Sequence, residues 1–315
     1  MEYKDFPFLV LAYYHIGPIA APHLEVARHK EFFMGKDVKS RIYISEQGIN
    51  GQMSASRESA IEYMEWMHKD ERFSGLVFKI HGAHEQAFPK TAVRYRKQLV
   101  AMDCDVDLTR RGRHVPPSEW KQMLEEKDGD TVLIDVRNSY EWKIGHFEGA
   151  ELPACETFRQ FPDYARSLKE SRDPKRTKVM MYCTGGIRCE FYSALMKEEG
   201  FENVFQLEGG VIEYGLQEGN KHWKGKLFVF DDRLAVPISE DAAEPIGKCL
   251  HCKTPIDVYY NCANMDCNEL FVSCPVCYPA FKGCCSESCM HQPRVRPYRD
   301  DGSSKPFRRR EWCLS

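Results

Sequence analysis

The chain has 315 residues, of which 43% are hydrophobic and 29% charged, with a formal net charge of −3 at pH 7. This length suits two or three domains, and no apolar run is long enough to span a bilayer. The net charge is not that of a protein that binds polyanions over its whole surface. Any contact with nucleic acid must therefore come from a local basic patch. The first residues, Met1 to Asp5, lack a signal-peptide layout, and we expect a cytoplasmic protein with no membrane partner.

Residues 1–103 mix strand-like and helix-like segments. The strand-like ones are FLVLAYYHI, both halves of SRIYISEQGINGQMSA, LVFKIHGA and VRYRKQLVAM. The helix-like ones are HLEVARHKEFFMGK and SRESAIEYMEWMHKD, the second with Ser56 as its N-cap. Their apolar stripes are Leu24, Ala27 and Phe32 in the first and Ile61, Met64 and Met67 in the second. The order β-α-β-β-α-β predicts a ferredoxin-like (acylphosphatase-like) α+β domain.

The last of these strands, residues 91–99, has one basic face if its side chains alternate. The basic side chains at or near that face are Lys90, Arg94, Arg96 and Lys97, and those of the other face are Val93, Tyr95 and Leu99. Two arginines on a strand face suit contact with phosphates. The alternative is a solvated edge strand whose charges prevent aggregation.

Residues 104–119 are charged and contain Pro116-Pro117, which is typical of a linker. From residue 120 to 222, short β runs alternate with amphipathic helices, and this predicts an α/β domain with a parallel sheet. Its strands are TVLIDVR, KVMMYC and NVFQLEGG, and the helix RCEFYSALMKEEG ends at Gly200. We expect HWKGKLFVFDDRLAVPI, which follows, to form a covering β-element that opens the third part of the chain, residues 223–292.

Cys183 comes at the end of a predicted strand and at the mouth of a helix. Backbone N–H groups and the helix dipole favour negative charge at such a point, which makes a thiolate there a nucleophile at neutral pH. The loop consists of Thr184, Gly185, Gly186, Ile187 and Arg188. Its glycines permit close backbone approach, and Arg188 can close the loop or pair with a bound oxyanion. The alternative, an inert buried cysteine, requires neither the glycine pair nor the arginine.

Two nearby features have two interpretations each. Cys189, just inside the helix, is a core residue in the interpretation we favour and a resolving thiol in the other. The segment from Gly48 to Gly51 is either an ordinary hairpin turn or a loop that faces the Cys183 pocket from the neighbouring domain.

Three segments resemble the signatures of a rhodanese domain. They are LIDVRNSYEWKIGHFEGA (133–150), YCTGGIRC (182–189) and FQLEGGV (205–211). In that family the loop from Cys to Arg has six residues and shapes a pocket for sulfur chemistry, whereas related phosphatases have one residue more. Cys183 to Arg188 is six. Asp135 and Arg137 match the family's Asp-x-Arg, which we expect to support the fold, and Glu141 is available to pair with Arg137.

Nine of the fourteen cysteines lie between Cys249 and Cys289. Without an export signal, such clustering favours metal ligation over disulfides. The candidate ligands form four pairs with spacings that suit tetrahedral zinc: Cys249 and Cys252, Cys262 and Cys267, Cys274 and Cys277, Cys285 and Cys289. They predict two structural Cys₄ sites, with iron as the alternative. Spacing leaves open which pairs share a metal, and we favour Cys285 over Cys284 because Cys285 and Cys289 fit one helical turn.

From about residue 8 to 291 the whole chain resembles the bacterial rhodanese-containing family of tRNA uridine hydroxylases. Besides the rhodanese signatures, the matching features are SEQGINGQ (45–52), FPKTAVRYRKQLVAM (88–102) and the cysteine module. The resemblance implies hydroxylation of the wobble uridine, position 34 of tRNA, to 5-hydroxyuridine with molecular oxygen. It favours RNA contact for the basic face at residues 90–97, with the anticodon arm as partner. The tail, residues 293–315, has seven Arg/Lys and three Asp/Glu, a balance of +4, and is either an RNA-binding arm or a soluble tail.

The mechanism that we expect for this substrate starts with addition of the Cys183 thiolate to C6 of the uracil, because nucleophilic addition at C6 makes C5 reactive toward oxygen. Arg188 would steady the loop or stabilise developing charge. We recognise no organic cofactor and expect no DNA partner, and the oligomeric state is unknown. A persulfide sulfurtransferase using Cys183 is the second hypothesis, and a non-catalytic RNA-binding scaffold is the third.

Overall fold

The structure, a computed structural model, describes residues 5–298. Most of the predicted basic tail, residues 299–315, lies outside the described residues. No helix within residues 5–298 has both the length and the apolar character that crossing a membrane requires.

The first domain is a five-stranded sheet with two helices. Its elements are β1 (Phe8–Ile16), α1 (Pro22–Phe32), β2 (Lys39–Ser45), β3 (Gly48–Ser56), α2 (Arg57–His68), β4 (Lys79–Ala83) and β5 (Thr91–Tyr95). The strand order is β4-β1-β3-β2-β5, in which β5 is parallel to β2 and the other neighbours are antiparallel. This is the predicted ferredoxin-like topology with one strand added at an edge, so the fold prediction is confirmed.

The apolar stripes of the two helices are only partly as predicted. In α1 the buried side chains are Pro22, Glu25, Val26 and His29, whereas Leu24 is 72% exposed. In α2 Met67 is buried as expected, and Ile61 is exposed. Hydrophobic periodicity failed in α1 because its buried face carries two polar residues, Glu25 and His29, and the His29 ring lies 3.1 Å from a carboxylate oxygen of Glu25. The Ser56 cap is confirmed, since its hydroxyl accepts a hydrogen bond from the Ser59 N–H.

The predicted turn from Gly48 to Gly51 is wrong, because these residues begin β3 and pair with β1. The glycines serve close contacts inside the sheet. A Cβ on Gly48, whose φ is +139°, would lie 2.0 Å from the carbonyl oxygen of His15, and one on Gly51 would lie 2.1 Å from the Tyr13 ring. The paired strand β1 leaves no room for side chains at these two positions. A short segment with two glycines has the same composition as a turn, so composition does not distinguish the two.

The second domain surrounds a four-stranded parallel sheet in the order β6-β10-β9-β7. Its elements are β6 (Arg113–Val115), α3 (Pro117–Glu125), β7 (Thr131–Asp135), α4 (Ser139–Trp142), β8 (Gly145–Phe147), α5 (Phe161–Ser171), β9 (Lys178–Tyr182), α6 (Ile187–Glu198), β10 (Asn203–Leu207) and α7 (Gly210–Glu218). The parallel α/β prediction is confirmed. Residues 113–119, which the sequence assigns to a linker, instead supply β6 and the start of α3, because β6 pairs with β10.

The connection between the domains follows directly after β5. The predicted strand over residues 91–99 is shorter than expected, because β5 ends at Tyr95. Leu99, Val100 and Met102 then pack into the core of the second domain. The chain therefore joins the two domains through buried contacts.

The third part of the chain lies against the second domain. Its elements are β11 (Trp223–Gly225), β12 (Leu227–Phe228), β13 (Ala235–Val236), β14 (Tyr259–Asn261), β15 (Leu270–Val272), α8 (Cys277–Ala280) and α9 (Glu287–Met290). β11 pairs with β8, which confirms a covering β-element. The hydroxyl of Tyr259 also donates to the carbonyl of Tyr140 in α4.

Candidate active site and metal centres

Cys183 lies between β9 and α6, in the place that the sequence predicts. Its sulfur accepts a hydrogen bond from the Gly186 N–H at 3.1 Å. Gly186 has φ +104°, and a Cβ there would lie 2.9 Å from the Tyr14 hydroxyl oxygen. The glycine therefore meets two demands, a left-handed backbone and close approach of the first domain.

The environment of Cys183 favours its thiolate. Burial opposes ionisation, but hydrogen bonds from the thiol of Cys189 and from the backbone N–H groups of Cys189 and Gly186, together with the charge of Arg188, lower the pKa of Cys183 to about 5. Burial and the adjacent sulfur of Cys183 raise the pKa of Cys189 well above its usual value. The pair therefore consists of a thiolate and a protonated thiol at neutral pH.

Arg188 is held by a carboxylate rather than left to swing in the pocket. Its Nη1 lies 2.5 Å and its Nη2 2.8 Å from the two carboxylate oxygens of Glu141, and Nη2 donates to the Thr184 hydroxyl at 3.1 Å. All three side chains are buried. The expected pairing of Glu141 with Arg137 is therefore wrong, because α4 directs Glu141 toward the Cys183 loop.

Arg137 instead pairs with its sequence neighbour Asp135. The guanidinium donates to both carboxylate oxygens at 2.8 and 2.6 Å and to the Gly145 carbonyl at 2.5 Å. Both side chains of the pair are fully buried. Neither lines the cavity described next, which agrees with the fold-supporting role expected for them.

A cavity of about 260 Å³ lies between the Cys183 loop and the first sheet. Six of its lining residues come from three neighbouring strands and share one face of that sheet, as the register Tyr14↔Asn50↔Tyr43 and Ala12↔Gln52↔Arg41 shows. From the second domain the cavity is lined by Cys183, Thr184, Gly185, Ile187, Arg188 and Ile212, and Phe230 also contributes. Because Asn50 and Gly51 line it, the hypothesis that the Gly48–Gly51 segment faces the Cys183 pocket is confirmed, although from a strand.

Lys79, in β4, is a functional candidate that the sequence analysis missed. Its ammonium donates to the Gly185 carbonyl at 2.7 Å and lies 5.2 Å from the Tyr14 ring centroid. Burial lowers the pKa of Lys79, and the negative charges of Cys183 and Glu213 oppose this. The only local sign of a special role is that Lys79 is a single lysine in an otherwise strand-like segment. The segment gives no indication that Lys79 contacts a loop more than one hundred residues away.

Glu190, the residue after Cys189, joins the two domains and was also missed. Its buried carboxylate accepts from the Tyr14 hydroxyl at 2.9 Å and from Arg111 at 2.9 Å, and the His114 ring nitrogen lies 2.9 Å away. Although burial opposes ionisation, the hydrogen bonds of His114 and Tyr14 lower the pKa of Glu190. The first domain is thus hydrogen-bonded to α6, the helix that carries Cys189.

The four predicted RNA-binding residues lie at the edge of the cavity face or beside it. Arg94 is in register with Tyr43, so both side chains leave the same face of the sheet. The Arg96 guanidinium lies 5.0 Å from the Tyr43 ring centroid. Lys90 and Lys97 are exposed on either side of them.

The eight predicted metal ligands form two groups. These are Cys249, Cys252, Cys274 and Cys277 in one and Cys262, Cys267, Cys285 and Cys289 in the other, and within each group the sulfur atoms lie within 4.8 Å of one another. The first and third pairs therefore share one site, and the second and fourth share the other.

The sulfur positions fit a tetrahedral metal. A Zn–S bond of about 2.3 Å places two ligand sulfurs about 3.8 Å apart. The separations are 3.6 Å for Cys252 and Cys274 and 3.8 Å for Cys285 and Cys289. The backbone N–H groups of Cys274 and Cys285 each donate to a sulfur of their group at 3.4 Å, which stabilises thiolate charge. Cys284 is excluded from the site and packs among buried apolar side chains.

Three family models match the chain in succession. The "UPF0176 acylphosphatase like domain" matches residues 8–99, the "Rhodanese-like domain" residues 116–216 and the "Rhodanase C-terminal" model residues 224–290. These matches agree with the three parts of the fold and with the resemblance drawn from the Cys183 loop.

Curated relatives match over nearly the whole chain. A protein of Protochlamydia amoebophila is 57% identical over 303 residues, which cover 96% of this chain and 94% of that one. Proteins of Chlamydia trachomatis serovar D and Chlamydia felis are each 54% identical over 308 residues, covering 97% of this chain and 94% of theirs. All three relatives carry the name tRNA uridine(34) hydroxylase.

Proposed function

The chain belongs to the tRNA uridine(34) hydroxylase family, and from this premise we propose that it is an oxidoreductase that hydroxylates the uridine at position 34 of tRNA. The observation that carries the proposal is the 57% identity over 96% of the chain to a relative with that name. The buried Cys183 thiolate at the cavity supports it, because a nucleophile is what the chemistry of uracil C5 requires. Because tRNA is the proposed substrate, we also propose that the protein acts in the cytoplasm.

We propose that the cavity receives the uracil of a nucleotide splayed out of the anticodon loop. Tyr14 and Tyr43 offer aromatic faces for stacking, and the side chains of Asn50 and Gln52 offer donors and acceptors for the edge of a base. All four project from one sheet face toward Cys183. A flat base between this face and the loop would meet the thiolate from one side.

The proposed chemistry begins when the Cys183 thiolate adds to C6 of the uracil. The addition makes C5 a carbanion equivalent that combines with molecular oxygen, the proposed co-substrate. The position of Arg188 supports a loop-steadying role, because Glu141 and Thr184 hold its guanidinium in place. Lys79 holds the Gly185 carbonyl from the other side, so both cations preorganise the loop around the thiolate.

We propose that Arg94 and Arg96, with Lys90 and Lys97, contact phosphates of the anticodon arm. Arg94 and Arg96 are exposed, and the guanidinium of Arg96 lies beside Tyr43, a lining residue of the cavity. Phosphate contacts next to the cavity would fix the register of the loop so that one nucleotide reaches Cys183.

We propose that both cysteine groups bind zinc and that the metal serves the fold. Four sulfurs around each point leave no position for substrate. The segments between the ligands are short, and such segments fold around a metal.

The test is nucleoside mass spectrometry of tRNA from cells that lack this protein and carry either wild type or Cys183→Ser. We expect 5-hydroxyuridine to return only with wild type, because serine is a poor nucleophile without the lowered pKa of the cysteine. Cys104→Ser is the matched control, and it should restore the nucleoside fully. Unchanged nucleosides in all strains, with a persulfide on Cys183, would overturn the proposal in favour of sulfur transfer.

A further inference from the structure

Cys189 is a second thiol close to the proposed nucleophile, in the first turn of α6. Its side chain is fully buried in the same apolar cluster as Cys183, and each of the two thiols shifts the pKa of the other. Its backbone N–H donates to the Gly186 carbonyl at 3.0 Å. Because the Gly186 N–H also donates to the Cys183 sulfur at 3.1 Å, Gly186 ties both residues together, with Cys183 at the cavity wall.

The proposed reaction requires two electrons, which these two thiols can supply. Transfer of one oxygen atom of O₂ to C5 leaves the other atom to be reduced to water, which takes two electrons and two protons. Two thiols that become one disulfide release two electrons. The pair at the base of the cavity thus matches the demand in number and in place.

We propose that Cys183 and Cys189 form a dithiol centre that supplies the two electrons of the hydroxylation, with Cys189 as the resolving thiol. The inference rests on the proposed function. It assigns to Cys189 a redox role in place of the core-packing role favoured by the sequence alone.

The steps balance as follows. The Cys183 thiolate adds to C6, the C5 carbanion takes up O₂, and one proton converts the peroxide to a C5 hydroperoxide. Loss of the C5 proton expels the Cys183 thiolate and restores the C5–C6 double bond. The thiolate then attacks the distal oxygen, the O–O bond breaks, and 5-hydroxyuracil and a Cys183 sulfenic acid form.

Cys189 completes the reaction at the sulfenic acid. Its sulfur attacks the Cys183 sulfur, water leaves, and a disulfide joins the two residues. The sum is one uridine, one O₂ and two thiols giving one 5-hydroxyuridine, one water and one disulfide. A reductant of the dithiol class then restores both thiols by attack on Cys183, the sulfur that lines the cavity.

The experiment is a single turnover with the zinc-loaded full chain. The protein is reduced, freed of reductant under nitrogen, and mixed with excess anticodon stem-loop RNA and then with oxygen. We expect about one 5-hydroxyuridine per chain. After digestion at Arg188, which separates the two cysteines, we expect their peptides to remain linked with the mass of a disulfide.

Variants separate the resolving role from a packing role. With Cys189→Ser, the first 5-hydroxyuridine should still form while a Cys183 sulfenic acid becomes trappable with dimedone, and turnover with dithiothreitol should fall about tenfold or more. Cys155→Ser, which removes another buried thiol of the same domain, should behave as wild type. The peptide linkage in the wild-type chain is read independently of whether the variant folds well.

Three outcomes would contradict the inference, and they do so in two different ways. Product formed while both thiols stay reduced, or wild-type turnover by Cys189→Ser, would overturn the dithiol centre and leave the hydroxylase intact. No 5-hydroxyuridine from the wild-type chain under any reductant would overturn the proposed function, and the inference with it.

Discussion

Cysteine sulfurs occur in two very different settings in this molecule, the Cys183 loop and the C-terminal module. In both, backbone N–H groups donate to sulfur, at 3.1 Å from Gly186 in the loop and at 3.4 Å from Cys274 in the module. In the module four sulfurs converge on each point. In the loop one sulfur faces a cavity with the charge of Arg188 nearby. The number of sulfurs that share a point, more than the backbone N–H groups around them, therefore distinguishes the proposed metal ligands from the proposed nucleophile.

The largest effect should come from removing one sulfur of the module. We expect Cys285→Ala to lose at least one of the two proposed zinc ions per chain and about 4 kcal/mol or more of unfolding free energy, since three sulfurs hold a metal poorly. Cys284→Ala is the matched control, because its sulfur lies outside the site. It should keep both metals and lose about 1 kcal/mol for the small cavity. Elemental analysis and urea unfolding measure both quantities, and equal metal content in the two variants would refute the ligand assignment.

The next largest effect should come from Glu141→Gln. This change leaves the buried Arg188 guanidinium without its carboxylate, which costs about 3 kcal/mol, and it loosens the loop around Cys183. We expect lower unfolding free energy, measured in urea, together with a fall in the rate of hydroxylation of about tenfold or more. Glu46→Gln, at an exposed site of the first domain, should change neither. A stable Glu141→Gln chain with full activity would show that the Cys183 loop does not need the ion pair between Glu141 and Arg188.

A smaller effect should come from Lys79→Met, read as the reactivity of Cys183. In the wild type, alkylation should be constant from about pH 6 to 8 and fall to half near pH 5, because the thiolate is protonated below its pKa of about 5. Removing the Lys79 charge should move this midpoint upward by about one unit. Lys39→Met, in the same sheet, should leave it in place. An unmoved midpoint in Lys79→Met would mean that only groups of the second domain determine the pKa of Cys183.

The smallest effect should come from the basic residues beside the cavity. We expect Arg94→Ala and Arg96→Ala each to weaken tRNA binding severalfold and to lower the slope of log affinity against log salt by about one, as loss of a phosphate contact does. Arg57→Ala, on the helical side of the same domain, should change neither value. Filter binding at several salt concentrations measures both. An unchanged slope would contradict phosphate contact and favour the alternative, in which these arginines lie on a solvated edge strand.

Much of the site could be predicted from sequence because its parts are local. The order strand, Cys183 loop and helix lies within a few residues, and the spacing of the cysteine pairs is itself the ligand pattern. The glycines of the Gly48–Gly51 segment were misassigned to a turn, since a close approach by Tyr13 and a turn both require glycine. Local pattern carries no information on which of the two applies.

The contacts between domains were beyond the sequence. Lys79 meets Gly185, and Tyr14 meets Glu190, across separations of 106 and 176 residues. The sequence analysis paired Glu141 with Arg137, whereas the structure pairs it with Arg188. This error has the same origin, since tertiary packing sets the direction of α4. Such pairs follow from how the first sheet docks on the loop, which no single segment encodes.

The bond from the Tyr259 hydroxyl to the Tyr140 carbonyl has a consequence for how the enzyme matures. Tyr259 lies in the strand that leads to Cys262, and Tyr140 precedes Glu141, so the C-terminal module contacts the helix whose Glu141 holds Arg188. We expect a newly made chain to reach full activity only after metal uptake. The supply of zinc in the cell would then set how much of the enzyme is competent, and through it how completely the wobble position of tRNA is modified.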